Sequence, residues 1–274
     1  MLKQRIVTAI LLIALLLAAF FTLPAAGIAL VLGLFVAAGA WEWSALCKWT
    51  GAARGGYVVA IVVAGGALVA ATLTEPRAAY AVYLVAAAWW VYALIDLARD
   101  GEGLLHSATG RAVAGTLIII PVWVALTWLH ATDPRRPLLV LFVVVLVAIA
   151  DTGAYAAGHA FGRTKLAPAI SPGKTVEGVI GGAMAVLLVA YFCGTMIWQL
   201  RGARLGIWVA LALVTGLVSV VGDLTESKMK RIAGVKDSGV LLPGHGGVLD
   251  RIDALTAAAP AYALGWLLLL QGRT

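Results

Sequence analysis

Hydrophobic residues run along this chain in long unbroken stretches, separated by short polar connections. The stretches lie near 5–23, 26–46, 56–73, 78–98, 112–131, 137–158, 177–199, 206–225 and 252–270. Each approaches the roughly 20 residues that an α-helix needs to cross a hydrocarbon core about 30 Å thick. None alternates with the period of two expected of a barrel strand, and a segment in lipid must satisfy its own backbone amides. The pattern predicts an all-α, polytopic integral membrane protein with about nine transmembrane helices. Ile6 to Leu23 is too long for an ordinary signal-peptide core and no small-residue cleavage site follows it, so it reads as a retained first helix. Pro121 predicts a kink in the fifth span.

Composition sharpens this picture. Hydrophobic residues make up 62% of the chain and charged residues 12%, against about a quarter charged in a soluble domain. The net charge is +7, but the basic residues are scattered among short loops, which speaks for bilayer topology and against nucleic acid. With nine spans, only 6 of the 20 Lys and Arg residues (Arg77, Arg135, Arg136, Arg201, Arg204 and Arg273) fall on one side. The other side is expected to be cytoplasmic, with the N-terminus inside and the C-terminus outside. Cys47 and Cys193 are far apart and read as small buried hydrophobes. No internal repeat is visible, which counts mildly against a transporter. The chain reads as a single membrane domain, 1–274. Its first helices, 1–136, are expected to be structural or lipid-facing, and those in 137–274 to carry the chemistry.

Two longer polar connections, 159–176 and 226–251, fall on the expected cytoplasmic face. Ionisable residues this close to lipid are a functional hypothesis by default. Asp250 and Asp253 stand three apart at the start of the last span, on one helix face, with Asp223 ending the eighth. They suit a hard cation such as Mg²⁺, which takes one or two carboxylates plus water and phosphate; they equally suit helix-start stabilisation with a pairing cation. Asp151, inside the sixth span, needs a cation, a metal or a water-filled cavity, and an ion pair or a site role would each provide one. Ser171-Pro172-Gly173-Lys174-Thr175 fails the phosphate-loop template, because Pro168 stands where its first glycine belongs. Ser171 is expected to cap the following helix with Lys174 facing an anion, the alternative being a positive anchor at a helix start. Lys228, Lys230, Arg231 and Lys236 form an anion-attracting surface, for lipid headgroups or for a substrate. Gly244-His245-Gly246-Gly247 would let a ligand approach the backbone closely. Glu42 and Asp96, near span ends, are expected to face headgroups, and the Trp41-Glu42-Trp43 and Trp89-Trp90 aromatics to pack or sit at the interface.

The ordered run Ser227-x-x-Lys230-Arg231, Lys236-Asp237, Pro243, His245-Gly246-Gly247 and Asp250-Arg251-x-Asp253 resembles, without departure, the signature of the phosphatidate cytidylyltransferases, or CDP-diacylglycerol synthases. The Asp151–Tyr155 and Ser171–Thr175 segments also resemble that family, with Gly173 where many members carry a second lysine. The resemblance covers roughly the last 125 residues. It implies transfer of CMP from CTP to phosphatidic acid at the cytoplasmic face of the bacterial inner membrane, with Mg²⁺ and room for a second cation. It also implies membrane lipid as a partner, no nucleic acid, and a homodimer. On this reading Asp223, Asp250, Asp253 and Asp151 serve the metal. Lys174, Lys230, Arg231, Lys236, His245 and Arg251 meet triphosphate or lipid phosphate, and Asp237 belongs to the same catalytic run. Ser171, Thr175, Ser227, Gly246 and Gly247 line the substrates. Two alternatives stand beside it: a secondary transporter for an anionic solute, and a related CTP-dependent enzyme with another lipid acceptor.

Overall fold

The structure is a computed structural model that describes residues 2–99, 103–133, 135, 137–242, 244 and 246–270, with the side chains of all of these except 2–9 and 12. Among the described residues nine α-helices follow in chain order: α1 Leu2–Thr22, α2 Ala25–Leu46, α3 Gly51–Thr74, α4 Pro76–Leu97, α5 Ala108–Thr132, α6 Leu138–Phe161, α7 Val176–Met196, α8 Gly202–Ala233 and α9 Leu249–Gly265. A π-helical turn, Trp266–Leu270, extends α9. Among the described residues eight helices are long and apolar enough to cross a membrane, and Ile13–Thr22 adds an apolar stretch in α1. α5 runs unbroken through Pro121.

Lipid offers no hydrophobic reward for joining two apolar helices, so packing and internal hydrogen bonds hold the bundle together. α5 is the central element: 78% of its most apolar window is buried, against 22% for α3 and α7. It packs on α2, α3 and α9. α6 and α7 meet through small residues, with Gly153 of α6 against Gly181, Gly182 and Ala185 of α7. Two indoles find acceptors inside the protein: Trp123 Nε1 donates to Ala29 O at 2.8 Å and Trp208 Nε1 to Ala190 O at 2.9 Å.

Three features depart from the sequence expectation. The connection 226–251 is helical over its first eight residues, because α8 continues to Ala233. Spacing such as Glu226/Lys230 at i, i+4 keeps the helix going after hydropathy falls, and Gly234 at φ +79° stops it in the left-handed region. Within 159–176 the chain forms an antiparallel pair, β1 Lys165–Ala167 and β2 Ser171–Thr175, with Lys165 opposite Thr175 and Ala167 opposite Ser171. Among the described residues two short strands therefore interrupt an otherwise helical fold. The cap of α7 is Thr175, whose Oγ1 accepts from Gly178 N at 3.1 Å; Ser171 instead opens β2.

Successive helices alternate in direction, so the C-terminal ends of α2, α4, α6 and α8 and the N-terminal ends of α7 and α9 gather at one end of the bundle. Lys228 of α8 reaches Asp96 of α4, Arg231 reaches Ile170 between the strands, and Glu42 of α2 reaches the first amides of α9. The polar chemistry of the chain is concentrated there.

Candidate active site

The site begins where α8 crosses α9. A β-carbon on Gly222 would lie 2.6 Å from Asp253 O and 3.0 Å from the Ala257 side chain. Only glycine permits this approach, which sets Asp223 and Glu226 beside the first turns of α9. Asp253 Oδ1 accepts from the backbone N of Ala254 at 2.7 Å. Ser227 Oγ donates to Asp223 Oδ1 at 3.3 Å, one turn back along α8.

Around Asp250 the carboxylates are engaged by donors. Lys230 Nζ bridges Glu226 Oε2 at 2.5 Å and Asp250 Oδ1 at 2.7 Å. Asp250 Oδ2 accepts from Ser238 N at 2.9 Å, Ser238 Oγ at 3.0 Å and Gly247 N at 2.9 Å. Beside it, Glu42 is buried and accepts from Val248 N at 3.0 Å, Leu249 N at 2.8 Å and Ser238 Oγ at 3.3 Å. Those two amides open α9 and would otherwise lack an intrahelical partner. A carboxylate at the positive end of the helix dipole is electrostatically favourable as well. Glu42 thus caps α9 from more than two hundred residues away and does not face headgroups.

The glycines of this loop admit these side chains. A β-carbon on Gly247 would lie 2.2 Å from Ser238 Oγ and 2.6 Å from Glu42 Oε2, and one on Gly246, at φ +83°, 3.0 Å from Asp250 Oδ2. Close approach to the backbone is needed, but the groups approaching are the protein's own carboxylates and hydroxyl. His245 and Pro243 lie outside the described residues.

A second group of charges faces open space. A cavity of about 480 Å³ lies between α6, β2, α7 and α8, lined by Asp151, Lys174 and Asp223 together with Ser171, Thr175, Tyr155 and His159. Lys174 Nζ is 2.6 Å from Asp223 Oδ2, and both side chains are about a quarter exposed, 24% and 26%. The remaining wall is small or apolar, including Ala150, Gly158, Gly182, Gly216, Leu217 and Val220. Tyr155 and His159 stack near its mouth, with ring centroids 6.1 Å apart. Glu177 anchors the strands to α7 by accepting from Arg163 N and Thr164 N at 3.1 Å, so β2 holds Lys174 over the cavity.

The other residues singled out by sequence are spread around these two groups. Arg231 Nε donates to Ile170 O at 3.2 Å, and Lys236 and Asp237 are exposed on the loop after α8. Arg251 borders a separate, almost wholly apolar cavity of about 230 Å³ between α1, α2, α5, α6 and α9. Lys228 belongs to a partly buried pair, 2.7 Å from Asp96 Oδ2, so neither residue simply faces headgroups. Sequence reasoning read Glu42 and Asp96 only as headgroup-facing acids and gave no role to Ser238 or Glu226. The signal available for the first two was a carboxylate within a strongly apolar helix, which needs a partner somewhere.

A sequence profile described as the Cytidylyltransferase family matches residues 3–268, spanning both groups of charges. The chain belongs to the cytidylyltransferase family. Its relatives include a phosphatidate cytidylyltransferase of Pseudomonas aeruginosa, 45% identical over 96% of this chain and 96% of the relative. Another, of Haemophilus influenzae, is 37% identical over 98% of this chain and 100% of the relative. A third, of Synechocystis, is 45% identical over 53% of this chain and 48% of its own. The cytidylyltransferase match extends through the N-terminal helices, where Glu42 and Asp96 lie, and favours nucleotidyl transfer over solute transport.

Proposed function

We propose that this chain transfers CMP from CTP to phosphatidic acid, forming CDP-diacylglycerol and releasing pyrophosphate, as the names of its full-length relatives indicate. A phosphate oxygen of the lipid attacks the α-phosphorus of CTP, and the bond from that phosphorus to the β-phosphate bridging oxygen breaks. A phosphate monoester carries between one and two negative charges near neutral pH. The nucleophile is therefore already ionised, and no side chain is required as a general base. The obstacle is repulsion between two polyanions, which cations at fixed positions relieve.

The observation that carries this reading is the cavity in which Asp151, Asp223 and Lys174 meet beside apolar walls. Lys174 is placed to meet phosphate oxygens, with Arg231, Lys236 and Arg251 as further cationic contacts around the same end. The residues fit Mg²⁺. Two carboxylates line one cavity, and the Lys174 ammonium already seats positive charge against Asp223. Among the described residues no set of three or more His, Cys, Asp or Glu forms a ready cage, which suits a cation completed by substrate phosphates and water. Asp223 and Asp151 would hold it, with Asp253 adjacent, while Asp250 keeps its Oδ1 on the Lys230 ammonium. When bound, Mg²⁺ supplies charge neutralisation and orients the attacking and leaving oxygens.

This end of the bundle faces the cytoplasm of the bacterial inner membrane on our reading. The excess of basic residues on that side supports it, as does the solubility of CTP. The test is purified protein in detergent with phosphatidic acid, radiolabelled CTP and Mg²⁺, following label into the lipid phase. Label should enter lipid and the transfer should stop with EDTA. Transfer only to a different lipid acceptor, or none from folded protein, would overturn the assignment.

A further inference from the structure

The opposite end of the bundle holds a second charged cavity. The α5–α6 turn, the α7–α8 turn and the end of α9 enclose about 530 Å³, lined among others by Asp133, Arg135, Trp198, Arg201, Arg204 and Trp266. Three guanidiniums face one carboxylate. That carboxylate is already committed to backbone: Asp133 Oδ1 accepts from Arg135 N and Oδ2 from Leu139 N, both at 2.8 Å. Arg135 Nη1 donates to Ile197 O. Among the described residues no salt bridge joins any of the three arginines to an acid.

Arg201 caps α8 and Arg204 stands three residues on, so like charges share one face of a helix start. Helices favour acids there and like-charge neighbours repel. Where a local rule is broken in this way, a compensating anion is the natural remedy. From Arg201 to Asp223 the chain is one continuous helix, about 33 Å at 1.5 Å per residue, close to the thickness of a hydrocarbon core. The arginines therefore lie at the interface opposite the reaction site. Trp198 and Trp266 line the cavity as buried aromatics, and exposed Met196, Ile197, Leu268 and Leu269 border the same region.

We propose that this cavity binds the phosphate of an anionic phospholipid in the leaflet opposite the reaction site, its acyl chains lying on the exposed apolar residues alongside. A lipid is favoured over a soluble anion because uncompensated positive charge and an exposed apolar surface coincide. The inference rests on the membrane-spanning fold and is independent of the reaction assigned above.

The experiment is native mass spectrometry of the full chain in mild detergent with added phosphatidylglycerol or phosphatidylcholine, with and without inorganic phosphate. The wild type should retain phosphatidylglycerol about fivefold or more in preference, on the scale of one basic residue near a membrane surface. Arg201→Gln/Arg204→Gln should abolish that preference while CTP-dependent label transfer stays at the wild-type rate, and Arg201→Lys/Arg204→Lys should keep most of it. Equal retention of both lipids by the wild type would overturn the proposal, as would an unchanged preference in the glutamine variant. Displacement of the lipid by millimolar phosphate would overturn it in favour of a soluble-anion site. Should the glutamine variant fail to fold, the single Arg204→Gln must lower the preference, and an unchanged value there is equally fatal.

Discussion

Asp223 and Asp250 look alike in sequence: each is a carboxylate at the polar end of an apolar helix, with basic residues close by. Their surroundings differ sharply. Asp250 receives three donors on one oxygen and the Lys230 ammonium on the other, in a cluster shared with Glu226 and next to the Glu42 cap. Asp223 holds one ammonium and one long hydroxyl contact and lines an open cavity with Asp151. One carboxylate organises the loop that starts α9, and the other is presented to whatever enters. On the proposed function, Asp223 would meet substrate while Asp250 holds the neighbouring loop in place.

The largest effect should come from Asp223→Asn. Its salt bridge with Lys174 is partly exposed, worth at most about 1 kcal/mol, so thermal unfolding in detergent should barely move. Turnover should fall by about two to three orders of magnitude, as when a preorganised electrostatic contact at a reacting centre is lost. Asp250→Asn should behave differently. The amide NH2 must oppose either the Ser238 and Gly247 amides or the Lys230 ammonium, at about 1–3 kcal/mol, so stability and label transfer should fall together. If the two variants prove indistinguishable in unfolding temperature, the division between open and closed clusters is wrong.

Lys230→Met tests the closed cluster directly. Methionine fills much of the lysine volume but leaves Glu226 and Asp250 facing each other without the cation. Removing one partner of a buried ion pair costs about 3–5 kcal/mol. The unfolding transition should shift accordingly, and adding Glu226→Gln should recover much of the loss by removing one of the stranded charges. A double variant no more stable than the single would show that Lys230 acts chiefly on substrate.

Much of this arrangement was legible in sequence because lipid makes ionisable residues conspicuous. The spans, the crowding of charge in the last third, and Asp151, Lys174 and Asp223 as candidate residues could be found without coordinates. What stayed hidden depended on distance along the chain or on competition between similar residues. Glu42 and Asp96 were visible as acids in apolar runs, but their partners lie 206 and 132 positions away, and no local pattern joins them. Hydropathy ended α8 at 225 because the helix turns polar there, although hydrogen bonding and i, i+4 pairing carry it to Ala233. Ser171 and Thr175 are both good caps. The β-pairing of 165–167 with 171–175 decided between them by placing Thr175 at the helix start.

Gly173 offers the gentlest test of the open cluster. It lies on β2 beside Lys174, lines the cavity, and an added β-carbon there meets nothing within 4 Å. Many members of the resembling signature carry lysine at this position, so Gly173→Lys asks whether this cavity uses one ammonium where another could stand. The strand backbone has no positive φ at this position, so folding should be unaffected. A second cation beside Lys174 adds attraction for polyanions that salt screens at an exposed position. The expected result is a decrease of about two- to threefold in KM for CTP at low ionic strength, the equivalent of about 0.4–0.7 kcal/mol and within the range of an exposed ion pair. kcat should change little, and the gain should fade as salt rises. The same substitution leaves the Asp250 cluster untouched, so its unfolding temperature should match the wild type. An unchanged KM at every salt concentration would place the CTP phosphates away from β2 and shift attention to Arg231 and Lys236.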